Sequence, residues 1–187
     1  MVATMMAALP RMGIAEEWIL DPESSRIGFQ AFQMGAPFEG AFESYRGSIV
    51  FDPARLDESK VTVIVDIGSV NSRNAERDAA IRSADWFDAS THPTATFVSE
   101  SFTALGDNRF EAPGKLTMRG VTRPVVFPFT YSVVLQENGR RVARVEGAFP
   151  VARSEFGIGQ GQWAGDGVIG DRVVIQIGLT AVPREAQ

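Results

Sequence analysis

Apolar and polar residues alternate with a period of two along most of the chain from Trp18 onward. The alternation is clearest over residues 61–67, 125–135 and 173–181, where apolar or aromatic side chains occupy every second position. This period is typical of β-strands with one buried face and one exposed face. The sequence therefore predicts a protein built mainly of strands.

Turn-forming residues separate these runs. Asn138-Gly139 lies between residues 125–135 and residues 141–151, and an Asn-Gly pair between two strand patterns is a strong hairpin signal. Gly106-Asp107-Asn108 separates residues 94–103 from residues 109–118 in the same way. We count about eight or nine strands without a βαβ rhythm, which favours an all-β, antiparallel sheet closed on itself.

Residues 74–83 depart from the strand pattern. They are rich in Ala, contain Glu and Arg, and have no β-branched residue before Ile81, so they predict a short helix with Asn74 as its N-cap. Trp86 and Phe87 follow, and we expect these aromatic side chains to plug or roof one end of the barrel.

The longest runs cover about 11 to 15 residues, or roughly 35 to 50 Å at about 3.3 Å per residue. Strands of this length exceed what a small closed core requires. An eight-stranded barrel is just wide enough to be filled by its own side chains or to hold one small ligand. The pattern alone leaves both interiors open, a packed core and a deep apolar cavity.

Composition excludes several classes of function. The 187 residues contain no Cys and one His, which excludes disulfides, thiolate chemistry and metal sites made of several His or Cys residues. Eighteen basic residues against 23 acidic ones give a net charge of −5, so no nucleic-acid partner is expected. No apolar run approaches the roughly 20 residues of a transmembrane helix.

Residues 1–15 are small and apolar at first and stand apart from the strand pattern. Two interpretations remain open: the remnant of a secretory leader, or a disordered N-terminus. Either way, the domain is expected to span residues 16–187.

Few residues offer chemistry. His92 precedes Pro93 and reads as a loop residue rather than a general base. Glycines over residues 157–170 lack the Lys-Ser/Thr of a phosphate loop and predict a rim loop, with Trp163 as a lid or staple. Asp78, Asp85 and Asp88 do not have EF-hand spacing, so we expect their carboxylates to cap local backbone structure or to face solvent. We predict neither a catalytic residue nor a metal site.

Two arginine–carboxylate motifs admit two interpretations. Arg77-Asp78 lies in the predicted helix, and Arg153-Ser154-Glu155 follows a predicted strand. Each pair either pins the helix or a rim loop, which we favour, or contacts the head group of a ligand.

Several segments together resemble the YceI-like family of polyisoprenoid-binding, lipocalin-like proteins. The matching residues run in order along positions 16–183, and they are Trp18-Ile19-Leu20-Asp21-Pro22, Phe51-Asp52-Pro53, Asp85-Trp86-Phe87-Asp88, His92-Pro93-Thr94-Ala95-Thr96-Phe97, Leu116-Thr117-Met118-Arg119-Gly120-Val121-Thr122-Arg123-Pro124 and Arg153-Ser154-Glu155-Phe156-Gly157. Two positions differ from the family pattern: Phe32-Gln33-Met34-Gly35 replaces a frequent His, and Glu155 replaces a common Asp.

The resemblance implies an extended, antiparallel eight-stranded barrel with one short helix and an elongated apolar cavity. It implies a periplasmic protein that binds or carries an isoprenoid lipid, such as an isoprenoid quinone or its precursor, with no other cofactor. The branch that the sequence resembles is associated with di-haem membrane cytochromes, so a cytochrome is an expected partner. Pairing of two barrels through an outer sheet face would give a homodimer.

Alternation predicts which side chains would line such a cavity, although a shift of register by one residue would reverse the assignment. The predicted ligand-binding wall consists of Phe29, Val63, Val65, Phe97, Phe127, Phe129, Tyr131, Phe149, Ile175 and Ile177. A non-enzymatic lipid carrier is the leading hypothesis. An enzyme on a lipid-like substrate would need Asp66, Tyr131 or His92 inside the cavity, whereas an interaction module for a membrane cytochrome would have a filled interior.

Overall fold

The computed structural model describes residues 15–165 and 167–184 as twelve β-strands and one α-helix. The elements are β1 (Glu17–Leu20), β2 (Arg26–Gln33), β3 (Ala36–Phe42), β4 (Tyr45–Val50), β5 (Lys60–Asp66), β6 (Val70–Asn71), α1 (Ala75–Arg82), β7 (Thr94–Ser99), β8 (Thr103–Gly106), β9 (Arg109–Met118), β10 (Val121–Leu135), β11 (Arg141–Ala152) and β12 (Arg172–Pro183). Of the expected leader segment, residues 1–15, only Ala15 lies within the described residues, where it is buried and its N–H donates to the Glu58 carboxylate at 3.1 Å.

Eight strands form a closed antiparallel cylinder in the order β1-β4-β5-β7-β9-β10-β11-β12. Pairing of β1 with β12 closes it, with Trp18 opposite Pro183. The sequence therefore predicts the architecture correctly: an eight-stranded antiparallel barrel with a short helix.

Near one end of the cylinder, the N-terminal strands are interrupted. Strand β12 pairs with β1 through residues 181–183 and with β2 through residues 174–178. Strands β2, β3 and β6 then continue the sheet at this end, where β3 pairs with β6. Short breaks at residues 21–25, 43–44 and 67–69 thus let three chain segments each contribute to both ends of the barrel.

Alternating burial within the strands follows the period of the sequence. In β9, the side chains of Phe110, Ala112, Leu116 and Met118 are buried, whereas Arg109 and Lys115 on the other face are exposed. Strand side chains point to opposite faces in turn, so the apolar half of each long strand lies inside the cylinder.

The predicted strand over residues 94–103 is divided into β7 and β8. The ladder between β7 and β9 ends at Ser99 and Gly114, because the next residue of β9, Pro113, has no N–H to donate. Its carbonyl instead accepts from the N–H of Glu100 and that of Ser101. The chain then turns Phe102 toward Phe51, with ring centroids 5.2 Å apart. Strand β8 pairs with β9 across the predicted turn at residues 106–108.

The predicted helix is present as α1. The side chain of Asn74 caps it by accepting a hydrogen bond from the N–H of Arg77 at 2.9 Å. Within residues 15–165 and 167–184, no helix is both long and apolar enough to cross a membrane. Helix α1 lies at the end of the barrel where the strands are interrupted, and it contributes side chains to the interior described next.

Candidate functional site

An apolar cavity of about 460 Å³ occupies the barrel interior. Ligand pockets commonly have volumes of about 300 to 1,000 Å³. The cavity extends from Trp18 and Tyr131 at one end of the barrel to Arg77 of α1 and Trp86 at the other. The sequence pattern left open whether the barrel contains a packed core or a deep apolar cavity. The structure shows a cavity, because the side chains of the barrel do not fill its interior.

The structure places all of the predicted wall residues around this cavity. They come from six strands and are Phe29, Val63, Val65, Phe97, Phe127, Phe129, Tyr131, Phe149, Ile175 and Ile177. Register explains how they meet, since Ile175 pairs with Phe149 on one side and with Phe29 on the other, and Val63 pairs with Phe97. Their role as ligand contacts stays a prediction.

Three wall phenylalanines lie across glycines of neighbouring strands. The pairs are Phe29 with Gly40, Phe97 with Gly114 and Phe127 with Gly147. A Cβ atom at position 114 would be 2.8 Å from the Phe97 ring, and one at position 147 would be 2.7 Å from the Phe127 ring. Because the glycines carry no side chain, the rings lie close to the wall instead of crossing the open space of the cavity, which we call the lumen.

An aromatic cluster closes the end of the cavity far from α1. Its members, which contact one another edge-on or stacked, are Trp18, Phe51, Phe102, Phe110, Phe129 and Tyr131. The indole N–H of Trp18 donates to the carbonyl of Phe51 at 3.0 Å. Burial raises the pKa of the Tyr131 hydroxyl to about 12, so this group stays neutral at physiological pH. Of the cluster, the sequence predicts only Phe129 and Tyr131 as wall residues.

Helix α1 and the segment after it roof the opposite end. Trp86 packs on Trp163 with ring centroids 5.9 Å apart, and Phe87 packs on Phe42 at 6.3 Å. These aromatic residues line the cavity, as expected of a roof. Exposed Asn74 at the start of α1 also borders the cavity, so the lumen reaches the surface there.

The Arg77-Asp78 motif divides into two separate contacts. Buried Asp78 accepts a hydrogen bond from the backbone N–H of Ser72 at 2.8 Å, which ties α1 to the residue that follows β6. The Arg77 guanidinium lies over the Phe38 ring, with its central carbon 4.2 Å from the ring centroid, and the side chain lines the cavity. The carboxylate therefore has the pinning role that we favoured, whereas the arginine is available to the cavity.

Arg153 organises the rim of the barrel at the same end as α1, where its guanidinium lies over the Trp86 ring. Its buried guanidinium donates to the backbone carbonyls of Ile158, Gly159, Trp163, Gly165, Ile169 and Gly170, at 2.8 to 3.2 Å. Arg119 donates to the carbonyls of Gly157 and Ala84 and so joins this loop to the segment after α1. The glycine-rich segment is thus a rim loop fixed by two arginines, a role that neighbouring residues in the sequence do not reveal.

Of the three residues that an enzyme would need inside the cavity, Asp66, Tyr131 and His92, only Tyr131 lines it. Asp66 accepts a hydrogen bond from the N–H of Gly68 in a short turn, and His92 packs beside Gly120, so neither lines the interior. Hydrogen bonding from Thr91, and then from Ser90, holds the pKa of Asp88 below its usual range. Across the described ranges 15–165 and 167–184, no three His, Cys, Asp or Glu residues are grouped so as to hold a metal ion.

Sequence comparison identifies relatives along most of this chain. The family model described as YceI-like domain matches residues 18–181. A UPF0312 protein of Vibrio vulnificus is 36% identical over 124 residues, which cover 65% of this chain and 66% of the relative, just under two thirds of its length. A UPF0312 protein of Vibrio cholerae is 34% identical over 155 residues, covering 81% of this chain and 82% of the relative.

Solved structures show the same barrel. BcnA of Burkholderia cenocepacia superimposes with a TM-score of 0.81 and 32% identity, over 87% of this chain and 99% of that one. The Campylobacter jejuni YceI protein gives 0.69 and 26%, over 78% and 85% of the two chains. A polyisoprenoid binding domain from Saccharophagus degradans shares the fold, with a TM-score of 0.66 and 13% identity over 91% of this chain and 99% of that one. With the family model matching residues 18–181, this chain belongs to the YceI-like family.

Proposed function

We propose that this protein binds the hydrocarbon chain of an isoprenoid lipid in its barrel cavity and carries or stores that lipid without chemically changing it. The observation that carries the proposal is the continuous apolar cavity of about 460 Å³ between the aromatic cluster and α1. The elongated lumen suits one long chain better than a compact polar metabolite. The polyisoprenoid binding domain from Saccharophagus degradans has the same fold, which is consistent with such a ligand.

The free energy of binding would come from removing the hydrocarbon chain of the lipid from water. Burial contributes roughly 0.8 kcal/mol per CH₂, so each five-carbon unit offers about 3 to 4 kcal/mol before costs. Ordering the chain and immobilising the complex consume a large part of this gain. Affinity should therefore rise with prenyl number and level off once the lumen is full. An isoprenoid quinone or its precursor is the ligand that we propose, in the periplasm.

The residues inside the cavity offer little for catalysis. Tyr131 is the one enzyme candidate that lines the cavity, and its raised pKa of about 12 makes it a poor base at neutral pH. Asp66 and His92 lie elsewhere in the fold. We therefore propose a binding protein and not an enzyme.

Native mass spectrometry of the purified protein, followed by organic extraction, tests the proposal directly. We expect a polyprenyl compound bound in a one-to-one ratio, and apo protein that takes up added prenyl alcohols with affinity increasing with chain length. Protein that is purified empty and takes up neither prenyl alcohols nor isoprenoid quinones would overturn it.

A further inference from the structure

Two side chains at the α1 end of the cavity carry N–H groups that have no hydrogen-bond partner among the described residues. The Nε atom of Arg77 and the Nε1 atom of Trp86 are fully buried and make no hydrogen bond among the residues that the structure describes. Both side chains line the cavity. A buried donor without an acceptor is destabilising, because it has lost its hydrogen bond to water and gained none in return. An acceptor that enters the cavity at this end would remove that cost.

Within the part of the chain that the structure describes, the charge of Arg77 also has no counter-charge. No carboxylate oxygen of residues 15–165 or 167–184 lies within 4.0 Å of its guanidinium nitrogens. The neighbouring Asp78 is engaged with the backbone of Ser72. The Phe38 ring holds the guanidinium from one side through a cation–π contact but does not neutralise it.

Other arginines at this end of the barrel are used differently. Arg153 directs its donors to backbone carbonyls of the rim loop, and Arg119 bonds the carbonyls of Gly157 and Ala84. Those guanidiniums fix loops in place. Arg77, by contrast, joins the helix to the cavity without holding any carbonyl of the described residues.

We propose that Arg77, with the indole N–H of Trp86, binds an anionic oxygen head group, a phosphate or a carboxylate, on the lipid whose chain fills the barrel. This inference rests on the proposed function and narrows its ligand to an anionic precursor, because the head group of the quinone itself is neutral. Charge-assisted hydrogen bonds are shorter and roughly twice as strong as neutral ones, and a site shielded from water strengthens them further. A neutral carbonyl would satisfy a donor but would leave the guanidinium charge unmatched.

The placement also sets the orientation of the ligand. Asn74 and Glu76 are exposed residues that border the cavity beside Arg77, so this end is the one near water. The head group would lie there, and the chain would run toward Trp18 and Tyr131. Glu76 is the exposed acidic residue beside Arg77 that borders this opening, and its carboxylate opposes an anion there.

The test compares two ligands that share one tail: farnesol and farnesyl monophosphate, each titrated into the delipidated protein by calorimetry. The wild-type protein is expected to bind the monophosphate at least about tenfold more tightly than the alcohol. Arg77→Met retains an apolar stem over Phe38 but removes the charge, and it should abolish that preference. Arg77→Lys should restore part of it. Glu76→Gln should raise the affinity for the monophosphate by about two- to threefold.

Equal affinity of the wild-type protein for the two ligands would overturn the head-group inference and leave the lipid-binding proposal intact. Loss of both affinities in parallel in Arg77→Met, with the protein still folded by circular dichroism, would also overturn it, because it would assign Arg77 a structural role. Failure of the wild-type protein to bind either compound would overturn both proposals. The wild-type ratio requires no variant, so the inference is testable even if Arg77→Met does not fold.

Discussion

The ring of Phe29 lies over Gly40 of the adjacent strand, in the space that a Cβ atom at position 40 would occupy. The two residues are register partners in the pairing of β2 with β3. Phe97 and Phe127 also lie over glycines, Gly114 of β9 and Gly147 of β11, but these glycines are not their register partners. The wall of the lumen thus contains large rings that lie along it, and the open volume depends on the small residues beneath them.

Replacing Gly40 by Ala is therefore expected to reduce both stability and ligand capacity. The added methyl group overlaps the Phe29 ring, which must move toward the lumen or strain its neighbours, and such overpacking costs about 1 to 3 kcal/mol. Urea unfolding and titration with farnesol measure the two effects. Gly178→Ala is the matched control, because a Cβ atom there has no neighbour within 4 Å. Equal behaviour of the two variants would contradict this account of the wall.

A larger side chain on β12 should fill part of the cavity and so reduce the length of the longest prenyl chain that can bind. Ile175 lines the cavity between Phe149 and Phe29, so Ile175→Trp places a larger ring there. We expect about tenfold or greater loss of affinity for the longest prenyl alcohol, equivalent to about 1.4 kcal/mol, and a smaller loss for the shortest.

Gln176→Trp is the control for this variant, since position 176 is on the opposite face of the same strand and does not line the cavity. It should leave the whole length series unchanged. An Ile175→Trp protein that binds every chain length as the wild type does would remove this part of β12 from the binding wall.

Removing the Arg153 guanidinium should destabilise the rim loop. Its carbonyl partners would lose charge-assisted hydrogen bonds, so Arg153→Met is expected to lower the free energy of unfolding by more than about 3 kcal/mol. Amide hydrogen exchange at Gly159 and Gln160, which bond the carbonyl of Asp85, should accelerate. Exposed Arg144 on β11 is the control, and Arg144→Met should change stability by less than about 0.5 kcal/mol. Retained protection at Gly159 would show that the loop does not depend on Arg153.

The buried hydroxyl of Tyr131 predicts a decline of stability at alkaline pH. Its pKa is raised to about 12 in the folded protein, mainly by burial, against about 10 in an unfolded chain. Both states are neutral below about pH 10, so the contribution is fully present there. Above that pH the unfolded state releases its proton first, and the free energy of unfolding falls as pH rises from about 10 to about 12.

Urea unfolding across this pH range measures the decline, and ultraviolet absorbance follows tyrosinate formation. Tyr131→Phe should reduce the decline and remove the later of the two tyrosine titrations, leaving Tyr45, the other tyrosine in the chain. A titration of Tyr131 at the usual tyrosine pKa of about 10 would mean that its hydroxyl is open to water.

The sequence predicts the barrel well because burial and strand register carry the same information. A period of two identifies which face of each strand is inside, and the Ile175–Phe149 and Val63–Phe97 pairs then follow from antiparallel pairing. The helix is predictable for a local reason, namely an Asn74 cap ahead of an Ala-rich segment.

What the sequence does not predict depends on contacts between distant segments. Nothing near Arg153 indicates that carbonyls as far away as Gly170 would surround it. The partner of Arg77 is Phe38, on a strand that precedes the helix by many residues, and not the adjacent Asp78. The division of the predicted strand at residues 100–102 results from Pro113 on a neighbouring strand. Such features follow from the fold and cannot be read from local patterns.

Closure of the cylinder by β1 and β12 has a consequence for how the protein folds. Trp18 pairs with Pro183, so the seam joins the first strand of the barrel to the last. Hairpins such as β10–β11 can form early because their partners are close in sequence, whereas the seam must wait for a contact that spans nearly the whole chain. Until that contact forms, the sheet has two free edges and its apolar face is open to water. The lumen therefore exists only once the last strand is in place.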